Sequence, residues 1–276
     1  MRYLILIPML SYKIKIRLLL AITLIGIISV FFIQPIGQNT NYHVFADTHT
    51  VKSIPNCTNV LSNFPLIVFG MLGIIFIAAK ERKTSQHSIH INNLVFFIGI
   101  FLTGIGSSYY HLHPTTATLV WDRLPMTITF MAFFSIIISE YIDWKIGKRL
   151  LFHLLFIGII SVLYWYKTEL NGLGDLRFYI LVQYLPLLLI PCILLLFKSE
   201  TRPSRHYWII MAVYLSAKVF ELLDYQLFAL THVISGHSLK HLVVSLAPIL
   251  YWLRLSNKKN NLKTKGHIIS TENYKL

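Results

Sequence analysis

Long apolar runs recur along almost the whole of this 276-residue chain, and they restrict its fold more than any other feature. Each run is close to the roughly 20 residues that an α-helix needs to cross the hydrocarbon core of a bilayer. Because 55% of the residues are hydrophobic and only 13% are charged, a soluble domain could not hide this much apolar surface. The sequence therefore predicts an all-α integral membrane protein.

Eight apolar segments can be placed on the sequence, and the short connections between them indicate one polytopic domain. They lie near residues 17–33, 58–79, 91–110, 120–139, 149–166, 177–197, 207–230 and 237–254. The first segment follows basic residues, as in a secretory signal, but the nearest small-residue motif, Val44-Phe45-Ala46, lies well beyond its apolar stretch. An uncleaved membrane helix is therefore favoured over a cleaved signal peptide.

Basic residues occur in short clusters at alternating connections, which explains the net charge of +14 without nucleic acid. The clusters are Lys13, Lys15 and Arg17; Lys80, Arg82 and Lys83; Lys145, Lys148 and Arg149; Lys198, Arg202 and Arg205; and Lys258, Lys259, Lys263 and Lys265. By the positive-inside rule, these connections and both termini are expected in the cytoplasm. Short loops favour a bacterial inner membrane, although an ER or Golgi membrane would give the same charge pattern.

Polar side chains collect at three segment ends that face outward in this orientation, and ionisable groups at membrane depth usually face a functional cavity. His237 and His241 are spaced i, i+4, so a helix would point both imidazoles to one face, at a separation suited to one metal ion. His111 could complete a three-histidine set with one open position, as in catalytic zinc sites. With 12 histidines in the chain, the i, i+4 pair could also arise by chance.

Ser107 and Asp122 accompany these histidines. Ser107 precedes His111 by four residues and would share its helix face, and Asp122 would return at the start of the next segment after a turn at Pro114. A carboxylate there can take a proton from a zinc-bound water. The alternatives are that Ser107 only bonds its own helix backbone, and that Asp122 caps a helix or pairs with Arg123.

Further polar residues allow two interpretations. Glu221 and Asp224, spaced i, i+3, could orient metal ligands or line a lipid pocket, or they could pair with Lys218 and cap the interface. Tyr110, like its neighbour Tyr109, could contact substrate or belong to an interfacial aromatic belt.

Four motifs occur in collinear order over roughly residues 56–254. They are an N-x-x-S-N element formed by Asn59, Ser62 and Asn63, a G-x-G-S-x-x-x-H stretch ending at His111, a D-x-x-P-M stretch from Asp122 to Met126, and a G-H-x-x-x-H stretch from Gly236 to His241. In this combination the sequence resembles the alkaline ceramidases of the CREST superfamily of membrane hydrolases, which also includes the adiponectin-type receptors. The resemblance implies zinc ligands at His111, His237 and His241, proton transfer by Asp122, and oxyanion stabilisation by Ser107.

The same resemblance implies a seven-helix ceramidase-like bundle over the second to eighth segments. The first segment is then one extra transmembrane helix, which departs from the family pattern. The expected organisation is a cytoplasmic segment and the extra helix over 1–34, the catalytic domain over 35–255, and a polar, disordered cytoplasmic tail over 256–276. Asn59, Ser62, Asn63 and Tyr110 would then lie around the metal ligands or the pocket.

Two departures from the family pattern concern calcium and the substrate. The acidic calcium-binding stretch of animal members is not reproduced, since His43, Asp47, His49 and Asn56 stand in its place and supply too few carboxylates. Lys240 replaces the family's aromatic residue in the last motif. Calcium regulation and a strict preference for ceramide are therefore not expected to carry over, whereas the hydrolytic core is.

The sequence thus predicts a zinc-dependent membrane amidohydrolase that cleaves the N-acyl amide of ceramide or a related N-acyl lipid. Its expected partners are zinc and a lipid substrate in the bilayer, with the site on the extracytoplasmic side. Three alternatives stay open: a lipid esterase, a non-catalytic lipid-binding receptor of the same fold, and a haem protein with axial histidines. The acyl chain and the head group are not predicted.

Overall fold

A computed structural model describes residues 10–79, 89–197 and 203–256, which are mostly helical. The helices are α1 (Tyr12–Phe31), α2 (Cys57–Leu61), α3 (Phe64–Ala78), α4 (His90–Leu112), α5 (Thr116–Tyr141), α6 (Trp144–Leu170), α7 (Arg177–Leu196), α8 (Arg205–Leu222), α9 (Asp224–Thr231) and α10 (Gly236–Val244), with a 3-10 helix at Thr40–His43. The chain is helical again over 246–256. Within these ranges there is no β-strand, so the predicted all-α class is confirmed.

Among the described residues, six helices are long and apolar enough to cross a membrane. They are Tyr12–Phe31, Cys57–Ala78, His90–Leu112, Thr116–Tyr141, Trp144–Leu170 and Arg177–Leu196. A seventh span results if α8 and α9, which meet at a bend of 74°, are counted together. The multi-pass membrane class is confirmed, whereas eight spans stay a prediction. The basic clusters at 80–83, 198–202 and 258–265 and nearly all of the predicted tail lie outside the described residues.

Two predicted segments begin at other residues than expected, and a third is broken within its length. Helix α1 begins at Tyr12 because the Ser11 side chain caps it, so its basic residues lie within the first turns and not before them. Helix α5 begins four residues earlier than predicted because Thr115 and Thr118 form a capping box. The predicted segment 207–230 is broken between α8 and α9 instead of running straight.

Helix α5 lies at the centre of the bundle and contacts α4, α6 and α7, while α10 packs against α8 and α2. The main hydrophobic core includes Phe97, Ile137, Tyr207 and Tyr251, all of which are buried. Helix α1 contacts α7 and exposes most of its apolar side chains, as a lipid-facing helix does.

Gly106 brings α4 and α5 together at the end of the bundle where the predicted site residues lie. A Cβ atom at Gly106 would stand 1.9 Å from the carbonyl oxygen of Trp121. Pro125, four residues after Trp121 and inside α5, has no N–H to donate to that carbonyl. The close approach therefore depends on glycine, and it sets Ser107 on α4 beside Asp122 on α5.

Candidate metal centre

His111, His237 and His241 form a buried cluster in which one ring nitrogen of each lies within 4.8 Å of the others. The Nε2 atoms of His111 and His237 are 3.3 Å apart. In a tetrahedral zinc site with Zn–N bonds of about 2.0–2.1 Å, two ligand nitrogens are separated by about 3.3 Å. The three imidazoles could therefore hold one metal ion, compatible with zinc. His237 and His241 share one helix turn, which suits a small metal ion better than a porphyrin plane and disfavours the haem interpretation.

The helix α10 is fixed in place by its first residues. The backbone N–H of His237 donates to Asp224 Oδ1 at 2.7 Å. A Cβ atom on Gly236 would meet the Phe220 carbonyl oxygen at 2.2 Å, so only glycine allows α10 to approach the break between α8 and α9. Asp224 therefore holds the backbone of His237, a candidate metal ligand, in place.

The N-x-x-S-N element supports the site from α2. Ser62 Oγ lies 2.8 Å from Nδ1 of His241, which leaves Nε2 of that ring for a metal. Asn59 accepts a hydrogen bond from Ser238 at 2.7 Å, and the Asn63 side chain donates to the Asn59 carbonyl at 2.9 Å. The structure thus places Asn59, Ser62 and Asn63 around the histidines.

Asp122 and Ser107 line one cavity of about 420 Å³ together with His241. Both are buried, and the Ser107 hydroxyl is a hydrogen-bond partner of the Asp122 carboxylate. Asp122 lies inside α5 and does not cap it, and it forms no hydrogen bond with Arg123. The alternative roles considered for Asp122 are therefore not seen in this structure.

Lys240 reaches toward the histidines. Its Nζ lies 3.1 Å from Nε2 of His237 and 2.9 Å from Oε1 of Glu221. Glu221 also forms an ion pair with Lys218, so one carboxylate serves two ammonium groups. Glu221 pairs with Lys218, as one interpretation expected, and it also lines the cavity.

The connection between α1 and α2 covers the metal centre, a feature that the sequence did not indicate. The Phe45 ring lies 4.7 Å from the rings of both His111 and His237. The Ala46 N–H donates to Asp224 at 3.0 Å. Phe45 was missed because no local pattern reveals which loop residue will reach a buried site.

Tyr110 of α4 is buried against this connection and does not belong to an exposed belt, whereas Tyr109 is 46% exposed. The Tyr110 hydroxyl lies 2.9 Å from Nδ1 of His43, and Nε2 of His43 lies 3.2 Å from the Thr116 hydroxyl. Burial lowers the pKa of His43, and the nearby Arg123 adds to this lowering. A neutral His43 therefore links the connection between α1 and α2 to helices α4 and α5.

Asp47 and Asn56, which stand in place of the calcium-binding stretch, have partners within the protein. Burial raises the pKa of Asp47, but hydrogen bonds from Thr58 and His49 outweigh it and the net pKa is below its usual value. The Asn56 amide donates to the His111 carbonyl at 2.9 Å. These residues hold the start of α2 against α4.

Comparison with known proteins does not assign this chain to a family or a function. No protein-family model matches the chain, and no curated protein is detectably similar to it. The candidate metal centre rests on geometry, namely three buried imidazoles, one of which lines a cavity together with an aspartate and a serine.

Proposed function

We propose that this protein is a zinc-dependent membrane amidohydrolase that cleaves the N-acyl amide bond of ceramide or a related lipid. The observation that carries the proposal is the buried three-histidine cluster, of which His241 lines the same apolar-walled cavity as Ser107 and Asp122. Three protein ligands and one open position are typical of catalytic zinc sites, whereas structural sites are closed. The resemblance to alkaline ceramidases supports the same assignment of residues.

The reaction is amide hydrolysis, in which water adds to the carbonyl carbon and the carbon–nitrogen bond breaks. A zinc ion held by the histidines would polarise the carbonyl and lower the pKa of the attacking water towards about 7. Asp122 takes a proton from that water and delivers it to the departing amine. Ser107 donates a hydrogen bond to the negative charge that develops on the carbonyl oxygen.

The cavity is suited to a lipid chain beside this chemistry. Its walls include Leu66, Ile100, Met126, Phe130, Ile180 and Val244. A volume of about 420 Å³ lies within the range of roughly 300–1,000 Å³ that is usual for small-molecule sites. An acyl chain along this wall would bring its amide to the polar end of the cavity.

The charge pattern further supports an extracytoplasmic metal centre with both termini in the cytoplasm, as in a bacterial inner membrane. A reporter inserted at 113–115 should be labelled from outside the cell, and one inserted at 143–145 should not. Inverted labelling of the two reporters would place the site on the cytoplasmic side.

Replacement of Asp122 tests the mechanism most directly. Asp122→Asn keeps the size of the side chain and removes the base, so zinc should be retained while turnover falls roughly 10²–10⁴-fold. Turnover is measured as fatty acid released from ceramides and other N-acyl lipids in detergent or bilayers. Wild-type turnover by the zinc-loaded Asp122→Asn protein would refute the mechanism. If metallated wild-type protein cleaves esters only, it is an esterase. If it cleaves neither class, a receptor role takes precedence.

A further inference from the structure

Arg123 is a buried cation on the cavity wall. Its side chain lines the cavity, and the residue is only 6% exposed. Its Nη2 donates to Gln38 Oε1 at 2.8 Å, while its Nη1 is buried and has no hydrogen-bond partner. Within the described parts of the chain, the guanidinium forms no ion pair with a carboxylate. A buried charge without a counter-ion is costly, so its retention calls for a partner.

Aromatic rings hold the guanidinium in position. Its Cζ lies 4.1 Å from the centre of the Trp165 ring, 4.7 Å from Tyr179 and 5.6 Å from Tyr42. Cation–π contacts offset part of the cost of burying the charge, but they do not satisfy the N–H donors of Nη1. The arrangement fixes a planar donor group that is suited to a carboxylate or another oxyanion.

The other charges of the cavity also favour an anion. Three cationic side chains, Arg123, Lys218 and Lys240, line the wall with only two carboxylates, Asp122 and Glu221. Glu221 is already shared by the two lysines. The polar end of the cavity therefore carries an excess positive charge even before a metal ion is counted.

We propose that Arg123 binds a carboxylate of the substrate, so that the preferred lipid is an N-acyl amino acid and not a neutral ceramide. The proposal rests on the proposed function for the identity of the ligand as a lipid amide. Arg123 follows Asp122 in the chain, and neighbouring Cα atoms are only 3.8 Å apart. Both side chains line the same cavity. One ligand in this cavity can therefore meet both side chains, as an N-acyl amino acid would with its carboxylate at Arg123 and its amide at Asp122.

The test is equilibrium binding, which needs no turnover. N-dodecanoylglycine and its neutral counterpart N-dodecanoylglycinamide are titrated against zinc-loaded protein in detergent, and the two dissociation constants are compared. Because hydrogen bonds between charged partners are worth more than neutral ones, the wild type should bind the anionic ligand at least tenfold more tightly. Equal affinity of the wild type for the two ligands would overturn the proposal, whether or not any variant folds.

Variants separate Arg123 from the metal as the source of the preference. Arg123→Gln should abolish the preference while the neutral ligand binds as before, and Arg123→Lys should keep part of it. Arg149→Gln, which removes an exposed arginine, should change neither affinity. The metal-depleted His241→Ala protein should still prefer the anionic ligand. A preference that persists in zinc-loaded Arg123→Gln, or that disappears in His241→Ala, would assign the anion to the metal and refute the proposal.

The two proposals can fail separately. A protein that prefers the anionic ligand through Arg123 but hydrolyses no amide would keep the anion site and lose the amidase function. A protein that hydrolyses ceramide and binds both ligands equally would keep the amidase function and lose the anion site.

Discussion

The two ends of helix α5 hold buried charges in different ways. Near its last turn, Glu140 forms an ion pair with Arg254 and accepts a hydrogen bond from the Tyr207 hydroxyl at 2.7 Å. Near its first turns, Asp122 and Arg123 lie side by side without pairing, and both line a cavity. Eighteen residues separate Asp122 from Glu140, which on an α-helix is about 27 Å, close to the thickness of a bilayer core.

Within one helix, a buried ion pair at one end contrasts with buried charges that do not pair at the other. At the Glu140 end, the carboxylate and the guanidinium satisfy each other, and the Arg254 Cζ also lies 4.4 Å from the centre of the Tyr207 ring. At the histidine end, defined by His111, His237 and His241, Asp122 and Arg123 do not pair with each other, and Nη1 of Arg123 has no hydrogen-bond partner. A buried charge on a cavity wall without a counter-ion indicates where a ligand would bind.

The largest expected effect on stability is at the Glu140 end. Glu140→Gln removes the counter-ion of Arg254 and should lower the free energy of unfolding by about 3–5 kcal/mol, measured by denaturant titration in micelles. The double variant Glu140→Gln with Arg254→Met should recover most of this loss, because no unpaired charge remains. If Glu140→Gln left the free energy of unfolding unchanged, the Glu140–Arg254 ion pair would not stabilise the protein, and the contrast between the two ends of α5 would be lost.

A smaller effect, on rate alone, is expected at the histidine end. Ser107→Ala removes a donor near the carbonyl oxygen and should reduce turnover roughly 10²–10³-fold while zinc content stays the same. The matched control is Ser135→Ala, which removes a buried hydroxyl that accepts a hydrogen bond from Asn92 at 2.9 Å on the other half of α5. That control should lose stability but keep the turnover of each folded molecule. Equal losses of turnover in both variants would remove Ser107 from the mechanism.

Much of the histidine end could be predicted from the sequence because its spacings are local. The i, i+4 pairs place His237 with His241 and Ser107 with His111 on single helix faces, and a short turn returns Asp122 toward them. Helix geometry, together with the resemblance to the ceramidase motifs, therefore indicated the residues that the structure brings together. The apolar runs likewise indicated an all-α membrane protein, since membrane-spanning segments must satisfy their own backbone.

The features of the site that the sequence did not predict depend on contacts between distant parts of the chain. Phe45 reaches the histidines from the connection between α1 and α2, and the aromatic box around Arg123 joins that connection to α6 and α7. The approach of Lys240 to His237 was also missed, because an i, i+3 spacing predicts proximity but not which partner the ammonium selects. The bend between α8 and α9 could not be predicted from the sequence, because residues 205–231 contain no proline or glycine.

Metal content tests the central claim most directly. Purified wild-type protein should contain about one zinc per chain by elemental analysis, since three imidazoles supply the protein ligands of a single site. His237→Ala and His241→Ala should each lose most of that zinc, whereas His153→Ala, which removes an exposed histidine of α6, should retain it. Zinc that is undiminished in both His237→Ala and His241→Ala would contradict the assignment of the metal centre.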